Sequence, residues 1–169
     1  MTTQIPQYDI RTFGPGDSIP VEAEELFATQ LADSRRQPPR DEHGEWTFVL
    51  TCAVTAEGHV LGGVHLDAGP IGGAGPLAKG RLAYLERTLV RPEHRRRGLA
   101  TALLRHTIQT ATGLGCRYIR CSNNWDNPAE TAQFLRCGFA LVDIDGENDP
   151  EPCYLAVRSL QNLERQGGG

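Results

Sequence analysis

Residues 89–104, LVRPEHRRRGLATALL, decide how this chain is read. A β-compatible run ends at Val90, Pro92 marks a turn, and three consecutive arginines (Arg95, Arg96 and Arg97) follow. From Arg97 onward, Leu99, Leu103, Leu104, Ile108 and Ala111 recur at helical spacing, and the glycines at 113 and 115 stop the pattern. The stretch is therefore a strand, a turn and a helix. The start of a helix offers unpaired N–H groups and a partial positive charge, and the small Gly98 and Ala100 let an anion approach the backbone. With arginines on the turn, the expected ligand is a phosphate group.

The positive charge is local. The chain holds 17 Lys+Arg against 21 Asp+Glu, a formal net charge of -4, which argues against a protein built to coat nucleic acid. A length of 169 residues with 39% hydrophobic content fits one domain with a real core. Five cysteines (Cys52, Cys116, Cys121, Cys137 and Cys153) contain no C-x-x-C pair, so neither a disulfide framework nor a zinc ribbon is expected. With no signal-peptide core at the N-terminus and no long apolar window, the expected location is the cytoplasm.

Working outward, a first strand is expected near Tyr8–Phe13 and a helix over about 20–34, where Ala23, Leu26, Phe27 and Leu31 share a face. WTFVLTCAVT (46–55) alternates Trp46, Phe48, Leu50, Cys52 and Val54 on one side, and HVLGGVHLD (59–67) completes an antiparallel hairpin. The Gly/Pro-rich 68–80 reads as a connection, RLAYLERTLV (81–90) as the fourth strand and RYIRCS (117–122) as the fifth. In NPAETAQFLRCG (127–138), Asn127 caps, Pro128 takes the first helical position, Glu130 completes a capping-box spacing and Gly138 terminates. FALVD and CYLAVRSL supply two last strands. The result is one α+β or mixed α/β domain over residues 1–160, with 161–169 as a flexible tail.

Other phosphate and metal motifs fail. GPLAKG lacks the residues a P-loop needs, no G-x-G-x-x-G follows a strand, and the glycine of DIDGEND comes too early for a calcium loop. His65 and Asp67, which with His59 share a face by period-two counting, lack further ligands at zinc spacing, so no metal is expected.

RRRGLA resembles the Q/R-x-x-G-x-G/A signature of the GNAT superfamily of acetyl-CoA-dependent N-acetyltransferases, here as Arg95-x-x-Gly98-x-Ala100. The resemblance extends through Asn127, in the N-x-x-x-x-x-x-[aromatic] position, to FLRCGF, and covers residues 8–158. It implies a mixed, mostly antiparallel central sheet flanked by helices, with the fourth and fifth strands splayed to admit the cofactor. It implies that acetyl-CoA is the cosubstrate, that the backbone of Thr88, Leu89 and Val90 pairs with the pantetheine arm, and that Arg96, Arg97, Gly98, Leu99, Ala100 and Thr101 cradle the pyrophosphate. Arg95, Asn127 and Phe134 join that cofactor set.

Acyl transfer from a thioester needs a neutral amine, a polarised carbonyl and a route for the proton. Glu86 is the candidate base, directly or through water, with the carbonyl polarised by the N–H of Leu89 or Val90. Where the family commonly has a tyrosine acid this chain has Phe134, which leaves Ser122, Cys121 or Tyr154 as donors, or an unassisted thiolate. The expected function is direct transfer of acetyl to a primary amine in a ternary complex, the amine being a small cation or a peptide or protein amine. The alternative is an acyl-CoA sensor without transferase activity. A tRNA-acetylating toxin is disfavoured by the acidic balance. Alternating carboxylates at Asp143, Asp145, Glu147, Asp149 and Glu151 suit a cationic acceptor. No membrane or nucleic-acid partner is expected, and a homodimer is left open.

Overall fold

A computed structural model describes residues 5–36, 40–41, 44–144 and 153–161. Seven strands form one sheet: β1 (Tyr8–Phe13), β2 (Thr47–Thr55), β3 (Val60–Pro70), β4 (Arg81–Val90), β5 (Cys116–Asn124), β6 (Ala140–Asp143) and β7 (Cys153–Ser159). Their order is β1-β2-β3-β4-β5-β7-β6, and every neighbouring pair is antiparallel except β4 and β5. The helices are α1 (Val21–Leu26), α2 (Ala28–Arg36), α3 (Leu99–Gly113) and α4 (Pro128–Arg136). A separate two-residue ladder joins Arg40–Asp41 to Gly44–Glu45. The expected α/β domain with a mixed, mostly antiparallel sheet is what the chain forms.

Two apolar layers sandwich the sheet. Leu99, Leu103, Leu104 and Ile108 of α3 and Phe134 of α4 pack with Val64, Leu66, Ala83 and Leu85. On the other side, Ala23, Phe27 and Leu31 cover Leu50, Cys52, Val54 and Val60. β2 is therefore buried from Val49 to Thr55 on both faces, not on the single alternating face the sequence suggests. A strand covered on both sides reads as a continuous apolar run, and Thr51 and Ala53 satisfy that requirement without looking hydrophobic.

Three expectations are corrected. The helix over 20–34 breaks at Phe27, whose φ of -112° ends α1 while its carbonyl still accepts from Leu31 N–H, so the apolar face bends without losing contact. β3 runs on to Pro70, because Gly69 lets the Trp46 ring lie on the strand and Ala68, Gly69 and Pro70 pair with Ala83, Leu82 and Arg81. His59 does not share a face with His65. The β2–β3 register slips between Ala53 and Val54, and His59 precedes the slip, bonding Glu22 Oε1 through Nδ1 at 2.8 Å. The tail from 162 and the carboxylates from Asp145 to Glu151 lie outside the described residues; Asp143 ends β6.

Gly63 sits where β2, β3 and the α1–α2 layer crowd together. A Cβ there would stand 2.7 Å from the Thr51 carbonyl oxygen and 3.0 Å from Phe27. Backbone cannot yield as a side-chain tip can, so Gly63→Ala is expected to lower stability by about 1–3 kcal/mol in urea denaturation.

Candidate active site

The parallel ladder of β4 and β5 is short. It runs from Arg81 opposite Cys116 to Tyr84 opposite Arg120 and ends, although β4 continues to Val90 and β5 to Asn124. Beyond Tyr84 the β5-facing side of β4 has no strand partner among the described residues, while its other side stays paired to β3 as far as Val90 opposite Gly62. This is the expected splay. Two cavities open along it.

The inner cavity, about 350 Å3, is lined by Leu85, Glu86, Arg87, Thr88 and Leu89 of β4, Cys121, Ser122 and Asn123 of β5, and Asn127, Glu130 and Phe134. The outer one, about 540 Å3, adds Val90, Arg95, Arg96, Gly98, Leu99, Ala100 and Thr101, with Gln133 and Arg136 opposite. Thr88, Leu89, Asn127 and Glu130 wall both, so the two form one groove.

The outer end is shaped by backbone conformation. A 3-10 turn at Pro92–His94 leads to Arg96 at φ 61° and Gly98 at φ 83°, and Gly98 caps α3 by giving its carbonyl to Ala102 N–H. Left-handed residues in a turn re-aim the neighbouring N–H groups, here at the positive end of the 15-residue helix α3, which is the kind of backbone arrangement an anion cradle uses. The three arginines differ. Arg95 donates through Nε to the Val90 carbonyl at 2.9 Å and fastens the turn to the end of β4. Arg96 lines the groove; Arg97 does not.

Helix α4 forms the opposite wall. Asn127 Oδ1 accepts from Glu130 N–H at 3.3 Å, and its Nδ2 donates to Glu130 Oε2 at 2.8 Å, so the glutamate reaches the cap side chain and not the cap backbone. Gln133 Nε2 donates to the Ala100 carbonyl at 3.0 Å, tying α4 to the first turn of α3. Gln133 and Arg136 went unnoticed in the sequence, although Glu130, Gln133 and Arg136 follow a three-residue stripe from the cap that marks one helix face.

At the inner end the β3–β4 register jumps from His65 opposite Arg87 to Leu66 opposite Leu85, leaving Glu86 as the extra residue of a bulge. Loss of hydration raises the Glu86 pKa, the Asp67 carboxylate raises it further, and His65 opposes both. Among the described residues Glu86 has no ion pair; the Arg120 guanidinium instead lies 5.6 Å over the Tyr84 ring. Of the proposed donors, Ser122 lines the cavity and is exposed. Tyr154 is fully buried, stands 3.0 Å from Thr131 Oγ1 through its hydroxyl, and does not line the groove. Cys121 lines the groove, but burial pushes its thiol up to about 12. Phe134 reaches the cavity from a buried position between Phe139 and Tyr154.

The family model for the Acetyltransferase (GNAT) family matches residues 21–139. The chain belongs to that family. Over 90 residues it is 33% identical to an aminoglycoside N(6')-acetyltransferase type 1 from Klebsiella aerogenes, a match that spans 53% of this chain and 58% of that enzyme. The GNAT fold extends further than this sequence likeness. The ribosomal-protein-S18-alanine N-acetyltransferase from Escherichia coli superposes with a TM-score of 0.64 at 14% identity, over 96% of this chain and 100% of that one. The GNAT family N-acetyltransferase YhbS from Escherichia coli, crystallised with CoA, gives 0.63 at 18% identity over 95% and 86%. Among the described residues no group of His, Cys, Asp or Glu is arranged to hold a metal, and no helix is long and apolar enough to cross a membrane.

Removing the α4 cap tests how the GNAT groove is held. Asn127→Ala is expected to cost about 1 kcal/mol of unfolding free energy, because the Glu130 N–H loses its acceptor. Hydrogen exchange in the first turn of α4 should rise accordingly.

Proposed function

We propose that the chain transfers the acetyl group of acetyl-CoA to a primary amine by direct attack within a ternary complex. The observation that carries this reading is the parting of β4 from β5 after Tyr84, which leaves one edge of Leu85–Val90 open along a groove ending in an anion nest. A pantetheine arm carries amide donors and acceptors at strand-like spacing, so it satisfies that edge as an added strand. The pyrophosphate then meets the backbone N–H groups of the turn and the start of α3, with Arg96 and Arg136 on either side.

The thioester comes to rest between Glu86 and Phe134. The amine nitrogen attacks the carbonyl carbon, whose oxygen takes charge stabilised by the N–H of Leu89 or Val90. The N–C bond forms, the C–S bond breaks and CoA leaves as a thiolate. Glu86 takes the proton of the attacking nitrogen, directly or through one water. Ser122 is the hydroxyl on the groove wall that donates a hydrogen bond to the departing thiolate, which regains a proton from solvent or takes the one Glu86 has accepted; Phe134 contributes only an apolar surface. Likeness to the aminoglycoside enzyme supports a cationic acceptor, and the Glu86 carboxylate on the cavity wall supplies negative charge there.

The test is thiol release from acetyl-CoA across a panel of amines, an aminoglycoside, spermidine and a peptide with a free N-terminus among them, with products identified by mass spectrometry. Release with at least one amine is expected. Tight binding of acetyl-CoA with no release for any amine would leave a sensor. Arg96→Glu should raise the acetyl-CoA Kd at least tenfold, about 1.4 kcal/mol, and more than Arg97→Glu does. Cys121→Ala should keep its turnover, since a thiol with a pKa of about 12 forms no acyl-enzyme at neutral pH. Glu86 must be ionised to act, so the acid limb of kcat/KM should fall above the ordinary carboxylate range and vanish in Glu86→Gln.

A further inference from the structure

Behind Glu86 the sheet buries two polar side chains that the reaction outlined above leaves unused. His65 and Asp67 are 2% and 7% exposed, and His65 Nε2 stands 3.2 Å from Asp67 Oδ1. By strand alternation they share the side of β3 on which a Cβ at Gly63 would meet Phe27 and Cys52, the side covered by α1 and α2. His65 packs against the Phe48 ring, with centroids 5.2 Å apart. Its Nδ1 is buried and has no hydrogen-bond partner among the described residues. A carboxylate and an imidazole in this position are costly, and valine or leucine would fill the same layer without that cost. What distinguishes the location is the bulge, which sits at His65 itself: the ladder passes from His65 opposite Arg87 to Leu66 opposite Leu85 with Glu86 between. A bulge re-aims the extra side chain and does so here next to the only ionisable pair buried in the described part of β3.

We propose that His65 and Asp67 are positioning residues for acetyl transfer, a buried pair that sets the proton occupancy of Glu86 at the bulge and with it the pH at which Glu86 accepts the amine proton. This rests on Glu86 being the base. Among the described residues the surrounding charges are few. β2 contributes the neutral Phe48, and β4 contributes Glu86 and Arg87. β5 contributes Arg120, engaged with Tyr84. On α1, Glu24 and Glu25 accompany Glu22, which is held by Arg91 at 3.1 Å and His59 at 2.8 Å. The pair acts in two opposed directions. The Asp67 carboxylate disfavours a second negative charge at Glu86, and His65 favours it. Asp67→Asn therefore makes Glu86 a stronger acid, and His65→Gln makes it a weaker one. Neither residue touches the reacting atoms.

Opposite displacement is something that loss of packing does not produce, and it is read without any acceptor. The full-length protein, labelled with 13C at glutamate carboxyls, is titrated by NMR, with the Glu86 resonance assigned by its absence in Glu86→Gln. Relative to the wild-type midpoint, Asp67→Asn is expected to fall and His65→Gln to rise, each by at least about half a pH unit. The acid limb of kcat/KM, with the most active amine of the panel, should follow in both. Unmoved midpoints, or midpoints moving in the same direction, would overturn the pairing. Midpoints that move while the limb does not would overturn its role in the reaction. A limb that survives in Glu86→Gln is a separate result, which removes Glu86 as base and leaves the pair no reaction to serve. Should Asp67→Asn not fold, His65→Gln alone decides, and its midpoint must rise.

Discussion

The site exists because β4 keeps one hydrogen-bonding neighbour and gives up the other. Up to Tyr84 it is an interior strand; from Leu85 onward β5 has turned away, and the backbone groups on that side need a partner. An open strand edge normally invites aggregation. Here α3 and α4 flank it, with Gln133 bonded to Ala100 linking the two helices beside the groove. The anchoring of β4 on its other edge makes this tolerable. Its pairing with β3 continues to Val90, and Arg95 then ties the turn back to the Val90 carbonyl, so the open edge is held straight while unpaired.

Two irregularities on the same strand divide the labour. The splay faces β5 and exposes backbone, whereas the bulge faces β3 and exposes one carboxylate. Because both fall just beyond Tyr84, the open edge and the candidate base lie on the same short length of chain. The apolar layers behind it explain why the carboxylate is perturbed although Glu86 itself is exposed: β2 and β3 are buried on both faces, so Asp67 and His65 act on it from within the protein.

What was legible in the sequence was local. Asn127, Pro128 and Glu130 announce the start of α4 within four residues, and Gly98 with its flanking arginines announces the turn before α3, since capping and left-handed backbone depend on near neighbours. The break at Phe27 was hidden, because the residue continues the helical spacing and only the curvature of the sheet beneath demands the bend. Gly69 and Pro70 looked like loop because their strand character comes from Trp46 above and Arg81 beside them. The period-two grouping of His59 with His65 failed for a related reason: one residue slips in the ladder, and every later side chain changes face. The splay entered only through family resemblance, since nothing in the residues of β4 or β5 encodes where two parallel strands part company.

The arginine run looks different once its backbone is considered. Left-handed conformation costs a non-glycine residue about 1–2 kcal/mol, and Arg96 adopts it at φ 61° where a glycine would do so freely. The strain is offset by what the position provides, an inward N–H and a guanidinium at the mouth of the same groove, which glycine cannot combine. Arg95 is already committed to a carbonyl and Arg97 does not line the groove, so the charge available to a ligand is smaller than three arginines suggest. The proposed cradle of directed N–H groups and one or two cations suits a compact phosphate group better than a long polyanion, which the net charge of -4 on the whole chain repels. On the proposed reading the acidic balance and the basic turn work together, the turn holding a small anion while the charge of the whole chain offers an extended polyanion no attraction.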